Sequence, residues 1–233
     1  MSHRHLLAAL LLGATAAAPA RAIETEGRKE LERLTRCREV VEEMTSVKEG
    51  IPLDFLRKSE CVIVIPGLKK AALGVGGRMG WGAAVCRTHQ GIGPWGAPLM
   101  MSLKGGSIGV QIGGQSSDIV LLVMDPKGID RLLSNKFTLG ADATIAAGPV
   151  GRAVEAGTDA TLHAEILSYS RSRGLFAGLS LEGASLAQDK KANLLIYGEA
   201  LSSRDVLLNP HRDIPGPAIG LVDTLERLSP LSR

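Results

Sequence analysis

The sequence predicts an α+β fold: a strongly curved, largely antiparallel, glycine-rich sheet or partial barrel flanked by N- and C-terminal helices. Three observations carry this. Apolar residues recur at period two in successive central runs, without the regular strand–helix alternation of a parallel sheet. Glycine is abundant, at 28 residues, while aromatics make up only 3%, a balance that points to bulges, corners and closely approaching backbones. Helical spacing is confined to the two ends and a few short connectors. A hydrophobic content of 45% excludes a disordered low-complexity chain.

The first 22 residues read as a secretory signal peptide. Arg4 supplies the positive start, Leu6 to Ala18 is a short apolar run, and Ala20-Arg21-Ala22 is an A-x-A cleavage site. Cleavage is expected after Ala22, giving an exported, periplasmic or envelope-associated protein that is not transmembrane, because no later segment is long and apolar enough to span. Losing Arg4 and Arg21 leaves 25 basic against 24 acidic side chains, so the formal net charge falls from +3 to +1. A near-neutral chain disfavours a nucleic-acid partner bound by bulk charge. Attraction to an anionic surface then needs a local patch.

Residues 23–49 contain an amphipathic helix over 28–49, with Leu31, Leu34, Val41, Met44 and Val47 as its apolar stripe. It docks as a lid on the domain or lies on a membrane. The latter prefers a Lys/Arg-rich polar face, whereas here glutamates nearly balance the basic residues. Gly50-Ile51-Pro52 ends the helix, and Pro52 opens a short second one through Lys58. The remaining span, 50–229, reads as one domain. Cys61–Ile65 is a buried strand stopped by Pro66-Gly67, with a turn or short helix at 67–70. Residues 74–88 read as glycine-rich strands with bulges. A Pro-containing turn at 90–98 leads to a half-buried strand at Ile108, Val110 and Ile112. Ile119–Met124 is a central buried strand. Asp125-Pro126 caps a short helix with Leu132 and Leu133 inward. Phe137–Ala147 alternates again. Gln188–Tyr197 is helical with Leu194 and Leu195, 203–208 is a short turn of helix, and Ala218–Leu228 closes the chain with Ile219, Val222, Leu225 and Leu228 on one side.

A β-hairpin is legible between Thr161–Ser170 and Leu175–Glu182. Leu162, Ala164 and Ile166 alternate with polar residues on the first arm, and Leu175, Ala177, Leu179 and Leu181 line the second. Arg171-Ser172-Arg173-Gly174 forms the loop if it closes between Ser170 and Leu175, which puts Arg171 and Arg173 on an exposed tip. In that register Glu165 faces Ser180 and His163 faces Glu182 on the polar side.

Several motif readings fail. There is no phosphate-loop pattern, and GIGPWG at 91–96 carries Pro and Trp with no helix after it. GGQSSD at 113–118 lacks the final glycine of a nucleophile elbow. The three cysteines, Cys37, Cys61 and Cys86, match no zinc spacing. They allow at most one intrachain bridge: Cys61 and Cys86 pair if their strands are neighbours, or all three remain buried thiols. No metal site or cofactor is expected.

Four ordered blocks resemble the SYLF domain family: CVIVIPGLKKAALGVGGRMGWG, SLKGGSIGVQIGGQSSDIVLLVMD, KFTLGADATIAAGPVGR and AEILSYSRSRGLFAGLSLEGA. That family includes lipid-binding proteins and actin-patch regulators of eukaryotes and many exported bacterial proteins. The resemblance implies a non-enzymatic domain that binds anionic phospholipid head groups, here at a bacterial envelope membrane surface. The actin binding of eukaryotic relatives is not expected for an exported chain. Envelope protein partners, bound by a structural or scaffolding domain, are the alternative. Phosphate head groups call for arginine forks or lysine point charges, and Lys69, Lys70, Arg78, Lys104, Lys136, Arg171 and Arg173 are the candidates. A hydrolase would have to use Asp142, His163, Glu165 and Glu182, whose simpler reading is cross-strand polar pairing on a wet face.

Overall fold

The two ends of a single strand meet in this structure, and the rest of the chain is laid around that closure. The computed structural model describes residues 17–89, 93–134, 136–150, 164–172, 175–176 and 180–231; of 17–26, 72–75, 107–113 and 175–176 the backbone alone is described. Helix α1 (Ala17–Ser46) and the short α2 (Leu53–Lys58) precede β1 (Cys61–Cys86) and β2 (Leu99–Val123). Then come α3 (Pro126–Leu133), β3 (Lys136–Thr138), β4 (Ile145–Ala147), β5 (Ile166–Ser172), β6 (Leu175–Phe176) and β7 (Ser185–Gln188). Helices α4 (Lys190–Tyr197), α5 (Ser203–Leu207) and α6 (Ile219–Leu228) complete the described chain. The A-x-A residues expected at a cleavage site lie inside the backbone of α1.

The seven strands form one curled mixed sheet in the order β3-β7-β2-β5-β4, with β1 on β2 and β6 on β5. Among the described strands, β4 and β5 are the parallel pair. Strands β1 and β2 pair antiparallel from Cys61↔Val123 to Ala84↔Leu99. The expected stop at Pro66-Gly67 is instead a bulge within β1, one of two register shifts in the ladder. Pro66 has no amide to offer, and Gly67 takes φ +57, a conformation costly for other residues. The Gly67 amide donates to Asp118 Oδ1 at 2.9 Å.

Beyond the bulge β1 curls back on itself. The Cys61 and Cys86 Cα atoms are 4.0 Å apart and their sulfurs form a disulfide. Next to it, the Arg87 amide donates to the Glu60 carbonyl at 2.8 Å. Gly82 lies so close to the first half of the strand that a methyl group there would overlap the Val64 carbonyl. Glycine is required at this point because the backbone leaves no room for Cβ.

Strand alternation sends residues to two cores. Cys61, Ile63, Ile65, Leu99, Met101, Leu103, Ile119, Leu121 and Val123 fill the inside of the curl, closed by α3, β3, β7 and α5. Val62, Val64, Ala83, Val85, Met100, Val120 and Leu122 face outward, under α1, α2 and α6. Helix α1 is therefore a docked lid. Leu34, Cys37, Val40, Val41 and Met44 are buried, while Leu31 and Val47, expected in the stripe, are exposed. Those buried side chains lie in the C-terminal half of the helix. Ile219 and Leu194 are likewise exposed rather than inward. In α4 the buried pair is Ala192 and Asn193, and the Asn193 side chain bonds Met100 N at 2.9 Å and Met100 O at 3.1 Å. Residues 185–188, partly expected as helix, form β7, and Asp189 caps α4 by accepting from Ala192 N.

The hairpin turns later than expected. Ladder pairs Arg171↔Phe176 and Ser172↔Leu175 put Arg171 and Ser172 in the strand rather than in the loop. Strand β5 continues to Ser172 because Arg171 is also in register with Asp118 of β2. His163 and Arg173 lie outside the described residues.

Candidate functional site

The site lies between the middle of α1 and β1. Lys29, Glu32, Arg33 and Arg36 recur at i, i+3, i+4 and i+7, the spacing that puts side chains on one helical face. That face looks across an open pocket of about 320 Å³ to Pro66, Gly67 and Lys69 at the bulge, and to Met79, Gly80 and Trp81. Ser116 of β2 completes the lining. The bulge builds the floor: a methyl group on Gly67 would stand 3.5 Å from Ser116 Oγ and 3.8 Å from Arg36 Nη2. Met79 and Trp81 are two apart in β1, so both project from one face, and they are 43% and 40% exposed.

The electrostatics are one-sided. Arg33 is engaged, 2.7 Å from Glu30 and 3.2 Å from Asp189. Lys29, Arg36 and Lys69 have no ion-pair partner among the described residues, against a single lining carboxylate, Glu32. Lys104 is the cross-strand partner of Met79 and is exposed. Directly opposed residues of an antiparallel pair share a face, so it adds a further cation beside Met79. Three unpaired cations around a concave floor, rimmed by an exposed indole and a thioether, suit a phosphate-bearing ligand attached to apolar matter.

Of the residues singled out from sequence, Lys69 enters this pocket. Lys70, its neighbour, projects from the opposite strand face and is half-buried. Lys136 is exposed at the start of β3, in register with Ala187. The exposed tip expected for Arg171 is corrected: its side chain is only 15% exposed, held by Glu43 and by Asp118 at 3.2 Å. Burial by itself lowers its pKa, but the hydrogen bonds and charges of Glu43 and Asp118 outweigh that and hold it above the ordinary value. Arg78 is corrected too. Its guanidinium donates to Gly106 O at 3.1 Å and to the Ser180 and Glu182 carbonyls, and burial lowers its pKa. Its donors clamp β2 to the 180–182 segment.

Of the residues that a hydrolase would use, Asp142, Glu165 and Glu182 are described. Asp142 Oδ2 accepts from Thr138 N at 2.6 Å, Glu182 packs over Gly140, and the Glu165 amide donates to Thr144 Oγ1 at 2.9 Å. No group of three or more potential metal ligands occurs among the described residues.

Sequence reasoning missed Lys29, Arg33, Arg36, Met79 and Trp81. The signals were present, as a basic i, i+4, i+7 series and a Met-x-Trp alternation. A helix-wide charge tally hid the first, because it sums over both faces.

A model of the Ysc84 family, described as Las17-binding protein actin regulator, matches residues 104–228, more than half of the chain. The chain belongs to the Ysc84, or SYLF, family. An SH3 domain-containing protein of Schizosaccharomyces pombe is 34% identical over 69% of this chain and 37% of its own length. LAS seventeen-binding protein 3 of Saccharomyces cerevisiae is 32% identical over 72% of the chain and 36% of its own. The human SH3 domain-containing YSC84-like protein 1 is 32% identical over 72% of the chain and 48% of its own. The chain thus spans less than half the length of these Ysc84 relatives. Apart from Ser116, the residues lining the basic pocket precede the span matched by the Ysc84 model.

Proposed function

We propose that this SYLF domain is a non-enzymatic binder of anionic phospholipid head groups and that the α1–β1 pocket is its site. The observation that carries the reading is the set of unpaired Lys29, Arg36 and Lys69 around one concave floor at Gly67. Their attraction to an anionic surface requires no bond to be made or broken. The export expected from residues 1–22 makes that surface the outer side of a bacterial inner membrane or another envelope leaflet. Arg171 and Arg78 act here as braces, since carboxylates and carbonyls already occupy their donors.

Flotation of the full chain with neutral and anionic vesicles tests this. Binding should require anionic lipid and weaken with salt. Each basic residue near such a surface contributes about 1 kcal/mol, so Arg36→Ala/Lys69→Ala should lower affinity about 30-fold. Equal flotation on neutral vesicles, or an unchanged double variant, refutes the assignment. A second reading, binding of a protein partner, is favoured by the relatives' names. Recovery of a stoichiometric protein partner by a chain indifferent to lipid would support it instead.

A further inference from the structure

We infer that Trp81 and Met79 form a wedge that enters the lipid bilayer at the level of the upper acyl chains while the pocket holds a head group. This inference rests on the head-group reading of the same pocket and adds how deeply, and by which face, the domain engages. Three observations carry it. Both side chains are large, apolar and some two-fifths exposed. They project from the face that carries Lys104, directly opposite Met79 in the ladder. They also share the pocket with Lys29, Arg36 and Lys69. The surface is therefore an apolar tip ringed by unpaired cations, complementary to a leaflet whose phosphates lie above its hydrocarbon. A tryptophan is suited to that boundary, because its ring is apolar and its N–H seeks a wet partner. A protein partner would have no reason to present a layer of negative charge directly above an apolar one across the whole ring.

The chain has two tryptophans, and the second makes the test clean. Trp95 is 3% exposed, lies 4.3 Å from the Arg87 guanidinium and donates to Ser229 O, so vesicles cannot reach it. Tryptophan fluorescence of the full chain is followed on phosphatidylcholine vesicles with and without phosphatidylglycerol, some carrying bromine at a defined acyl depth. The expected result is a blue shift and bromine quenching on anionic vesicles only, both lost in Trp81→Phe, which retains Trp95. Trp81→Ala should lower vesicle affinity on the order of tenfold. Soluble glycerol phosphate, which brings no hydrocarbon, should not reproduce the blue shift; a shift equal to that on anionic vesicles would assign Trp81 to the head-group site and overturn the wedge. Binding to anionic vesicles with Trp81 emission unshifted and unquenched overturns insertion and leaves the head-group reading standing. Absence of binding to every vesicle overturns both.

Discussion

Reducing the Cys61–Cys86 disulfide should cost this fold about 3.5 kcal/mol. The bond closes a loop with a sequence separation of 25. In the chain-entropy treatment a loop of that length removes close to 12 cal/mol/K from the denatured state, or about 3.5 kcal/mol at room temperature. For a chain of this size that corresponds to a fall in Tm on the order of 10 °C. The experiment compares urea unfolding of oxidised and reduced protein, with near-UV circular dichroism to show that both start from the same native packing. Reduction keeps both buried side chains in place, whereas replacing the cysteines would add a cavity cost. Cys37 should not interfere by exchange. Burial pushes its thiol up to about 12, so the thiolate that exchange requires is scarce at neutral pH. Both bridged cysteines are fully buried, so reduction itself should be slow until denaturant opens the curl. A difference below about 1 kcal/mol would refute the loop-closure account. It would mean that the denatured chain already keeps the ends of β1 together.

Two further perturbations probe the same closure. Gly82→Ala should destabilise by more than about 4 kcal/mol, since the new methyl would overlap the Val64 carbonyl oxygen and come within 3.0 Å of Ile65 Cα. Gly106→Ala, with nothing within 4 Å of its added carbon, is the control and should stay within about 1 kcal/mol in the same urea titration. Glu60→Gln should raise Tm at neutral pH and lose that advantage in acid. Desolvation raises the Glu60 pKa, opposed by Arg87 and assisted by Asp125. A raised carboxyl favours the native state below its unfolded pKa, and that contribution is lost as pH rises through the folded value. The glutamine variant therefore gains only where Glu60 would be ionised, and a pH-independent Tm difference would refute this.

Much of the sheet was legible because its signal is local. The continuous apolar runs Cys61–Ile65 and Ile119–Met124 read correctly as buried strand, and both faces of each are in fact covered. What escaped depends on distant partners. Pro66-Gly67 looks like a stop, and only Asp118, fifty-one residues away, turns it into a bulge by accepting the Gly67 amide. Arg171 looks like a loop tip, and only its register with Asp118 keeps it in the ladder. The basic pocket was hidden for a different reason. Its members come from two elements, α1 and β1, and no window along the chain contains both Arg36 and Lys69 close enough to pair them by spacing.

Asp118 connects these corrections. Its Oδ1 receives the Gly67 amide and its Oδ2 receives the Arg171 guanidinium, which also reaches Glu43 on α1. The β1 bulge and the β5 hairpin arm thus meet at one carboxylate, and Arg171 links it to the lid helix through Glu43. The bulge is the floor of the basic pocket, and α1 is its other wall. Arg171 thereby influences an anion site it does not touch, by fixing the carboxylate that holds the floor and by tying down the helix that carries Lys29 and Arg36. Removing its charge would leave Asp118 without its cation and free the Gly67 amide to move. A loss of lipid binding in an Arg171 variant is consequently not evidence for direct contact. Direct contact and bracing separate only when native stability is measured on the same protein, because a brace weakens both and a surface ligand weakens binding alone.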